Sequence, residues 1–423
     1  MNKFQTLIVL TQSFPYDKAL EKTFLQDEIL QLNSLFTETY IIPKETKYTK
    51  YAEIGNAICV DEFDIYLSKK LFLFNSRFYQ NLFEIIFDEI TANTKCRNVR
   101  TFALLIKSAI LASAFLVWFN QFYKKKDFRN NKILIYSFWF DTIVSSLSWF
   151  KKNNLNITFV TRCHSIDLYE ERREIAYIPF RKIAFNNLDF IFPDSNRGSN
   201  YLKSNYPEFE YKIQTLFQGV RESPFTITNS TDGKLRFISC SYVSKRKRVD
   251  QIFKFLNAYA LLYPQNQLEW YHIGTGPDFD MLLNLVKSKS ETLEVHLVGN
   301  LEHNKMLDFY KDNTLDIFIN FSDNEGTPVS LMEAASCGFA FIVTDVGGNS
   351  DVVTTRNGFT IDPKLNTDEF INILNQFFDN KRLLRDFSIE SKAIWANKFN
   401  VKYNTTHFIN TINKNQKKYD FNF

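Results

Sequence analysis

The sequence alternates short, continuous apolar runs with amphipathic segments long enough for helices, and this alternation constrains the fold most strongly. Such runs are typical of parallel strands whose two sheet faces are both covered by helices. The strand–helix–strand spacing at the start of the chain predicts a βαβ unit and a parallel sheet. The predicted strands lie at 7–11, 40–42, 132–137, 156–164 and 189–195, and again at 236–242, 268–274, 295–299, 315–322 and 339–345.

A polar stretch divides the chain into two such alternating halves. ITNSTDGK at 227–234 is the clearest break in composition, and 423 residues are too many for one ordinary core. We therefore expect an α/β protein with two doubly wound, Rossmann-like domains at 1–226 and 227–395 that face each other across a cleft. Residues 396–423 form a predicted C-terminal helix and tail that can pack back on the first domain. A ligand is expected in the cleft, outside the carboxyl ends of the strands.

Charge and cysteine content exclude several classes of protein. The net charge of +4 is far below that of a dedicated nucleic-acid binder. The five cysteines are scattered without a C-x-x-C pair, which favours a reducing compartment and no zinc site. The N-terminal apolar run lacks a small-residue cleavage site, so it predicts a first strand rather than a signal peptide. We expect a cytoplasmic protein.

The segment FALLIKSAILASAFLVWF at 102–119 is the one candidate for a membrane span. Lys107, Ser108 and Ser113 interrupt it, and a central lysine costs about 2.5–3.5 kcal/mol on insertion. A buried or surface-docked helix is therefore favoured over a span. Because Lys124–Lys126 follow, the region 102–126 is also a candidate for peripheral contact with anionic headgroups at the inner face of a membrane.

The stretch NFSDNEGTPVSLMEAASCGFAFIVTDVGGNSDVV, beginning at residue 320, predicts a loop, a helix and a strand. Thr327 suits an N-cap and Pro328 the first helical position, and the helix is expected to end at Gly338. Glu325 then lies in the loop after a strand, and Glu333 lies nearly two turns into the helix.

The first turn of this helix offers free backbone N–H groups, which make an anion site. A phosphorylated ligand could rest there, with Glu325 and Glu333 binding hydroxyl groups on either side of the phosphate. The alternative is that one glutamate is a solvated loop residue and the other merely faces water.

EGTPVSLMEAASCG at 325–338 matches every fixed position of E-G-x-P-x-S-x-x-E-A-x-x-x-G, and a Gly-Gly loop follows the next strand. This pattern resembles the signature of the family 4 retaining glycosyltransferases, which have the GT-B fold. The resemblance implies that the first domain takes the acceptor and the second binds a nucleotide-diphosphate sugar. It implies transfer with retention to an acceptor hydroxyl, without a metal or other cofactor. The acceptor suggested by bacterial relatives is a lipid-linked glycan in surface polysaccharide biosynthesis.

The resemblance also carries over individual donor-site residues. Glu325 would bind the sugar hydroxyls and Glu333 the ribose. In ISCSYVSKRKRVDQI, Lys247 stands where the family has a diphosphate-binding lysine, whereas Tyr242 replaces the family's arginine. Arg246, Arg248 or the Tyr242 hydroxyl are candidates to compensate. The other donor-site candidates are Gly326, Thr327, Pro328, Val329 and Ser330 at the helix start, Gly274 and Gly276 in a turn, and Asn300 and Leu301 near the base.

In the first domain, TRCHSIDLYEERRE resembles the family segment R-x-H-G-x-D-L-Y-E-E. His164 then takes the catalytic position near the reacting carbon, although Ser165 replaces the family's glycine. Arg162, Asp167 and Tyr169 align with it. The predicted acceptor-binding residues are Phe14, Glu21, Thr23 and Asp167.

Two other classes of function stay open at this stage. A sugar-nucleotide epimerase or a phosphorylase can use the same two-domain frame, although no lysine segment supports a pyridoxal phosphate site. A catalytically degenerate protein that binds sugar nucleotide or acts as a scaffold is the other, and Tyr242 is the feature that keeps it open. A dehydrogenase is disfavoured because no G-x-G-x-x-G follows the first strand.

Overall fold

Each half of the chain builds its own six-stranded parallel sheet. The computed structural model describes residues 4–16, 21–46, 52–128, 131–152, 154, 156–364, 366–380 and 382–419. One compact unit comprises residues up to Leu216 together with those from Thr405 onward, and the other comprises Phe217–Asn404. The predicted pair of doubly wound α/β domains is confirmed.

In the first unit the strands stand in the order β3-β2-β1-β4-β5-β6. The strands are β1 (Thr6–Thr11), β2 (Glu38–Pro43), β3 (Ile58–Cys59), β4 (Ile133–Ser137), β5 (Ile157–Cys163) and β6 (Phe190–Pro193). The helices are α1 (Lys22–Asn33), α2 (Glu62–Ser68), α3 (Ser76–Ala92), α4 (Val99–Lys125), α5 (Thr142–Lys151), α6 (Ser165–Leu168), α7 (Arg181–Asn187) and α8 (Asn196–Asn205). The sequence did not predict β3, because a two-residue strand leaves no apolar run to read.

In the second unit the order is β12-β11-β10-β7-β8-β9. The strands are β7 (Leu235–Cys240), β8 (Leu268–Ile273), β9 (Leu293–Gly299), β10 (Ile317–Asn320), β11 (Ala340–Thr344) and β12 (Gly358–Ile361), of which β12 was not predicted. The helices are α9 (Val249–Leu262), α10 (Phe279–Leu285), α11 (His303–Asp312), α12 (Val329–Cys337), α13 (Asn349–Val352), α14 (Thr367–Asp379) and α15 (Leu383–Lys398). The last helix, α16 (Val401–Tyr419), begins in this unit and continues into the first, where Phe408 packs on Tyr136.

The continuous apolar runs follow from burial of both sheet faces. In β1, Ile8 and Leu10 pack into the cluster that contains α4 and α5, whereas Leu7 and Val9 pack into the cluster on the opposite face. All six β1 residues are buried. Each large side chain fully buried in this way contributes about 1.5–3 kcal/mol. An alternating apolar–polar strand could not satisfy both faces.

Helix α4 contains the apolar segment that was the candidate span. It is long and apolar enough to cross a membrane by length and composition, but 61% of its most apolar window is buried inside the structure. Phe115 packs edge-on against Phe63 with ring centroids 4.9 Å apart, and Trp118 stacks on Phe122 with ring centroids 5.6 Å apart. Burial of most of α4 agrees with the expected buried or surface-docked helix. The large apolar residues of 102–126 that are exposed lie in its N-terminal half, at Phe102 and Ile110.

The loops that follow β10 and β11 pack directly against each other through Gly347 and Gly348. A Cβ at Gly347 would lie 1.8 Å from the carbonyl oxygen of Glu325, and the φ angle of Gly347 is 53°. The Gly348 N–H donates to the Gly326 carbonyl at 2.7 Å. Only glycine fits at Gly347, for reasons of both conformation and space.

We predict that Gly347→Ala destabilises the second unit more than Gly233→Ala. Both glycines have positive φ, which costs about 1–2 kcal/mol for a residue with a Cβ. A Cβ at Gly233 meets nothing within 4 Å, whereas at Gly347 it must displace backbone, at about 1–3 kcal/mol more. Urea unfolding of the two variants measures the difference. Equal losses would contradict the close packing of the two loops.

Candidate functional site

The carboxyl edge of the second sheet gathers five loops that carry most of the predicted donor-site residues. In a parallel sheet all strands end at the same edge, which is where ligands bind in doubly wound folds. The loops follow β7, β8, β9, β10 and β11, and they begin at 241, 274, 300, 321 and 345. Glu325, Lys247, Tyr242, Asn300 and the start of α12 therefore share one edge of one unit.

Helix α12 begins one residue later than predicted. Pro328 is its N-cap, because a ψ of 125° keeps that residue extended, and Thr327 precedes the cap. Leu331 and Met332 donate their N–H groups to the Pro328 carbonyl. The N–H groups of Val329 and Ser330 precede those of Leu331 and Met332 in the helix and lie at the positive end of the helix dipole. Gly338 ends the helix with φ 87°, as expected.

Glu325 is not a solvated loop residue. It is 7% exposed, and its carboxylate accepts a hydrogen bond from the Lys247 ammonium, which is itself mostly covered. The guanidinium of Arg246 lies 3.8 Å from the second Glu325 oxygen. The backbone also joins the two loops, because the Asp323 N–H donates to the Arg246 carbonyl at 2.9 Å. The loops after β7 and β10 thus form one structure centred on an ion pair.

The three residues that could replace the family's diphosphate-binding arginine differ in exposure and in their contacts. Tyr242 is 62% exposed at the sheet edge. Arg248 donates to the Asp323 carboxylate at 2.7 Å and to the Pro363 carbonyl at 2.6 Å, so these groups hold it. Arg246 is largely exposed and lies beside Glu325. Arg246 is therefore the better placed of the two arginines.

Glu333 is also partnered. It is mostly covered, and it lies 2.6 Å from Nε2 of His303 at the first position of α11. Sequence reasoning did not find His303, because 30 residues separate the two side chains and no motif joins them. The carboxylate therefore has a fixed position at the edge rather than a freely solvated one.

The remaining predicted donor-site residues of this unit support the turns. A Cβ at Gly274 would lie 2.0 Å from the Ser241 carbonyl oxygen, and one at Gly276 would lie 2.2 Å from that of Val243. The Asn300 amide oxygen accepts the Thr275 N–H at 2.9 Å, which joins the loops after β8 and β9. Leu301 packs against the apolar cluster of the second unit that contains Leu331 and Met332. The two glycines have the turn geometry that the sequence suggested.

In the first unit, His164 is nearly buried at the end of β5. Its Nδ1 lies 3.2 Å from the Asp194 carboxylate and its Nε2 lies 3.1 Å from the Phe138 carbonyl oxygen. Asp167 accepts the N–H groups of His164 and Phe140. Burial raises the pKa of the Asp167 carboxyl, and these contacts offset only part of that rise. Asp167 thus stabilises the strand end, a structural role that the acceptor-binding prediction did not anticipate.

Arg162, which aligns with the same motif, belongs to a buried network. It donates to Glu28 at 2.8 Å, to the Tyr136 hydroxyl at 2.7 Å and to the Leu216 carbonyl at 2.7 Å. Burial opposes the charge of its guanidinium, but Glu28 and Tyr136 reverse that effect and leave its pKa above the ordinary arginine value. This network fixes β5 against β4 and α1.

The three other predicted acceptor residues differ in their surroundings. Phe14 is fully buried, and Thr23 is exposed. The Glu21 carboxylate is also buried, and it accepts hydrogen bonds from the N–H groups of Gln12 and Ser13 and from the indole of Trp139. Glu21 therefore fixes the loop after β1, and only Thr23 of the three offers an exposed side chain.

One group of side chains outside this edge has the composition of a metal site. Ligand atoms of Glu269, Glu294 and His296 lie within 4.8 Å of one another. However, Arg236 donates to Glu269 at 2.8 Å, and the Tyr271 hydroxyl also donates to it. These contacts make the group an ion-pair network on the sheet rather than a set of ligands ready for a cation.

Comparisons with known proteins agree with this architecture. Residues 221–393 match the family model described as Glycosyl transferases group 1. The O-antigen biosynthesis glycosyltransferase WbnH of Escherichia coli is 29% identical over 185 residues, which are 44% of this chain and 49% of that protein. The chain spans 36% to 49% of the length of the curated relatives it matches.

Two solved structures resemble the whole chain at 13% identity, which bears on the fold alone. The lipopolysaccharide outer core galactosyltransferase WaaB, in its apo form, superposes with a TM-score of 0.68 over 97% of this chain and 100% of that one. Anabaena Alr3699/HepE in complex with UDP superposes with a TM-score of 0.62, also over 97% of this chain and 100% of that one. The chain thus has the GT-B fold, and its residues 221–393 are similar to the family Glycosyl transferases group 1.

Proposed function

We propose that this protein transfers a sugar from a nucleotide-diphosphate sugar to an acceptor hydroxyl with retention of anomeric configuration. The observation that carries the proposal is the Lys247–Glu325 ion pair beside the start of α12. That arrangement puts a cation, a carboxylate and two N–H groups at the edge of the sheet. HepE, a structural neighbour, is described in complex with UDP, which supports a nucleotide diphosphate as the leaving group.

Charge stabilisation is the chemistry that this edge can supply. As the sugar–phosphate bond breaks, negative charge builds on the diphosphate, and fixed positive potential lowers the barrier. Lys247 and the N–H groups of Val329 and Ser330 provide that potential without a metal ion. Glu333, held by His303, is assigned to the ribose.

Retention needs no covalent intermediate in this proposal. Glu325 is already paired with Lys247, so we assign it to the sugar hydroxyls rather than to attack on the anomeric carbon. For His164 to contact the sugar, as the resemblance implies, its Nε2 must leave the Phe138 carbonyl. The Lys247–Glu325 pair of the second unit therefore supports the proposal more strongly than His164 does. Proton NMR of the product distinguishes retention from inversion through the anomeric coupling.

The proposed acceptor is a lipid-linked glycan used to build surface polysaccharide. This part is supported by the name of WbnH, an O-antigen biosynthesis glycosyltransferase. Such an acceptor would place the enzyme in the cytoplasm, in peripheral contact with the inner face of the membrane. A catalytically degenerate sugar-nucleotide-binding protein is the second candidate, because Tyr242 leaves the diphosphate one fixed cation short.

We predict that Lys247→Met lowers the rate of donor consumption by about 10²–10³-fold, the usual effect of removing one group that stabilises developing charge. Purified protein is incubated with UDP, GDP and ADP sugars, and released nucleotide is measured with and without a lipid-linked acceptor. The control is Lys245→Met in the same loop, where the side chain is exposed and unchanged activity is expected. Full activity in Lys247→Met would contradict the assignment.

Loss of the lysine also leaves Glu325 buried without its main partner, which destabilises the fold. The double variant Lys247→Met with Glu325→Gln removes that unpaired charge. It is expected to recover thermal stability while remaining inactive. This separates a catalytic role from a structural one.

We predict that Tyr242→Arg tightens the binding of UDP by about tenfold, because it restores a charge-assisted contact to the diphosphate. Tyr242 is 62% exposed, so the larger side chain needs no repacking. The matched control is Tyr211→Arg, since Tyr211 is equally exposed in the first unit. Isothermal titration with UDP measures both. Equal affinities in the two variants would argue against a diphosphate beside residue 242.

A further inference from the structure

Exposed apolar side chains are concentrated in one part of the first unit. Of the 22 large hydrophobic residues that are exposed in the described chain, 11 lie between residues 65 and 110. Phe74 is 89% exposed and Phe83 is 75% exposed, although aromatic rings are normally covered. A concentration of this kind marks a surface that contacts something else.

Helix α3 arranges four of these residues along one line. Tyr79, Phe83, Phe87 and Ile90 follow one another at intervals of four, four and three residues. At about 100° per residue they fall within about 80° of one another around the helix axis. The rings of Phe83 and Phe87 stack with their centroids 6.5 Å apart. The opposite side of α3 packs on the core through Phe78 and Ile85.

The turn before α3 extends this line. The hydroxyl of Tyr79 donates to the Leu73 carbonyl at 3.1 Å, which fixes the turn at 71–74 beside the helix. Leu73 and Phe74 are exposed there. We call the continuous surface formed by Leu73, Phe74, Tyr79, Phe83, Phe87 and Ile90 the aromatic face.

Positive charge surrounds the aromatic face. Residues 65–110 contain seven lysines and arginines but only three acidic residues. Lys69, Lys70 and Arg77 flank the turn and are exposed.

The three acidic residues do little to offset this charge. Lys152 lies 3.9 Å from Glu84 and 3.2 Å from Asp88, so both carboxylates have a basic partner. Glu89 is buried and accepts the Tyr177 hydroxyl at 2.7 Å.

We infer that the aromatic face docks on an anionic lipid bilayer. Aromatic and aliphatic side chains beside lysines and arginines are typical of helices that lie in the headgroup region. Lysine is depleted from protein–protein interfaces, which makes a protein partner the weaker explanation. We place the contact at 73–90 rather than at 102–126 because most apolar side chains of α4 are buried, although Lys124, Lys125 and Lys126 are exposed. The inference concerns a surface, and it does not depend on sugar transfer.

The test is sedimentation of the full chain with vesicles of phosphatidylglycerol and phosphatidylethanolamine, or of phosphatidylcholine alone. Wild-type protein is expected to bind the anionic vesicles and to bind the neutral ones more weakly. Phe83→Gln with Phe87→Gln should lower the partition coefficient at least about tenfold, since it removes two large apolar groups from the headgroup region. Lys69→Glu with Arg77→Glu should weaken binding to anionic vesicles only.

The matched control is Leu261→Gln with Leu262→Gln, an exposed apolar pair of the second unit at 64% and 62%. It should bind as wild type does. Absence of wild-type binding, or equal binding by the Phe83 and Phe87 variant, would overturn the inference. The inference would also be overturned if the wild-type protein self-associates in light scattering, this variant does not, and neither protein binds vesicles. That result would identify a protein interface. Thermal unfolding checks that the variants are folded.

Discussion

The candidate donor site depends on the ion pair between Lys247 and Glu325, because it joins loops from β7 and β10. These strands are neighbours at the centre of the second sheet, so their loops must share one edge. Gly347 then brings the loop after β11 against the carbonyl of Glu325. The loop that carries Glu325 is therefore fixed from two sides, and the ion pair holds the Lys247 ammonium in place before any ligand arrives. Such preorganisation is what charge stabilisation needs, because groups that are already oriented do not have to rearrange during the reaction.

The two units use their polar residues differently. In the second unit, Glu325, Lys247 and Glu333 lie at the sheet edge in ion pairs that a charged ligand could replace. In the first unit, Arg162 and Asp167 are buried and bound to the frame, and both ring nitrogens of His164 contact neighbouring groups. The first unit instead presents apolar surface on α3. The proposed transfer from a soluble nucleotide sugar to a membrane-associated acceptor would need such a division.

Most of the fold could be predicted from the sequence, because strands buried on both faces leave continuous apolar runs that few other structures produce. The strand β3 could not, since two residues leave no apolar run, and β12 could not because Gly358 and the exposed Thr360 interrupt its apolar residues. The predicted start of α12 was one residue too early. Proline suits both the N-cap and the first helical position, and only the ψ angle of Pro328 shows that it is the N-cap. The contacts of the site were the hardest to foresee. Lys247 and Glu325 are 78 residues apart, and a partner for Glu333 at His303 follows only from how α11 and α12 pack.

A crystal structure of the protein with UDP would show whether the start of α12 holds a diphosphate. We expect the diphosphate to lie at the start of α12, with phosphate oxygens within hydrogen-bonding distance of the Val329 and Ser330 N–H groups and of the Lys247 ammonium. We also expect the ribose hydroxyls to contact Glu333. Electron density for UDP at another place, or a diphosphate that leaves the Lys247–Glu325 pair untouched and distant, would contradict these expectations.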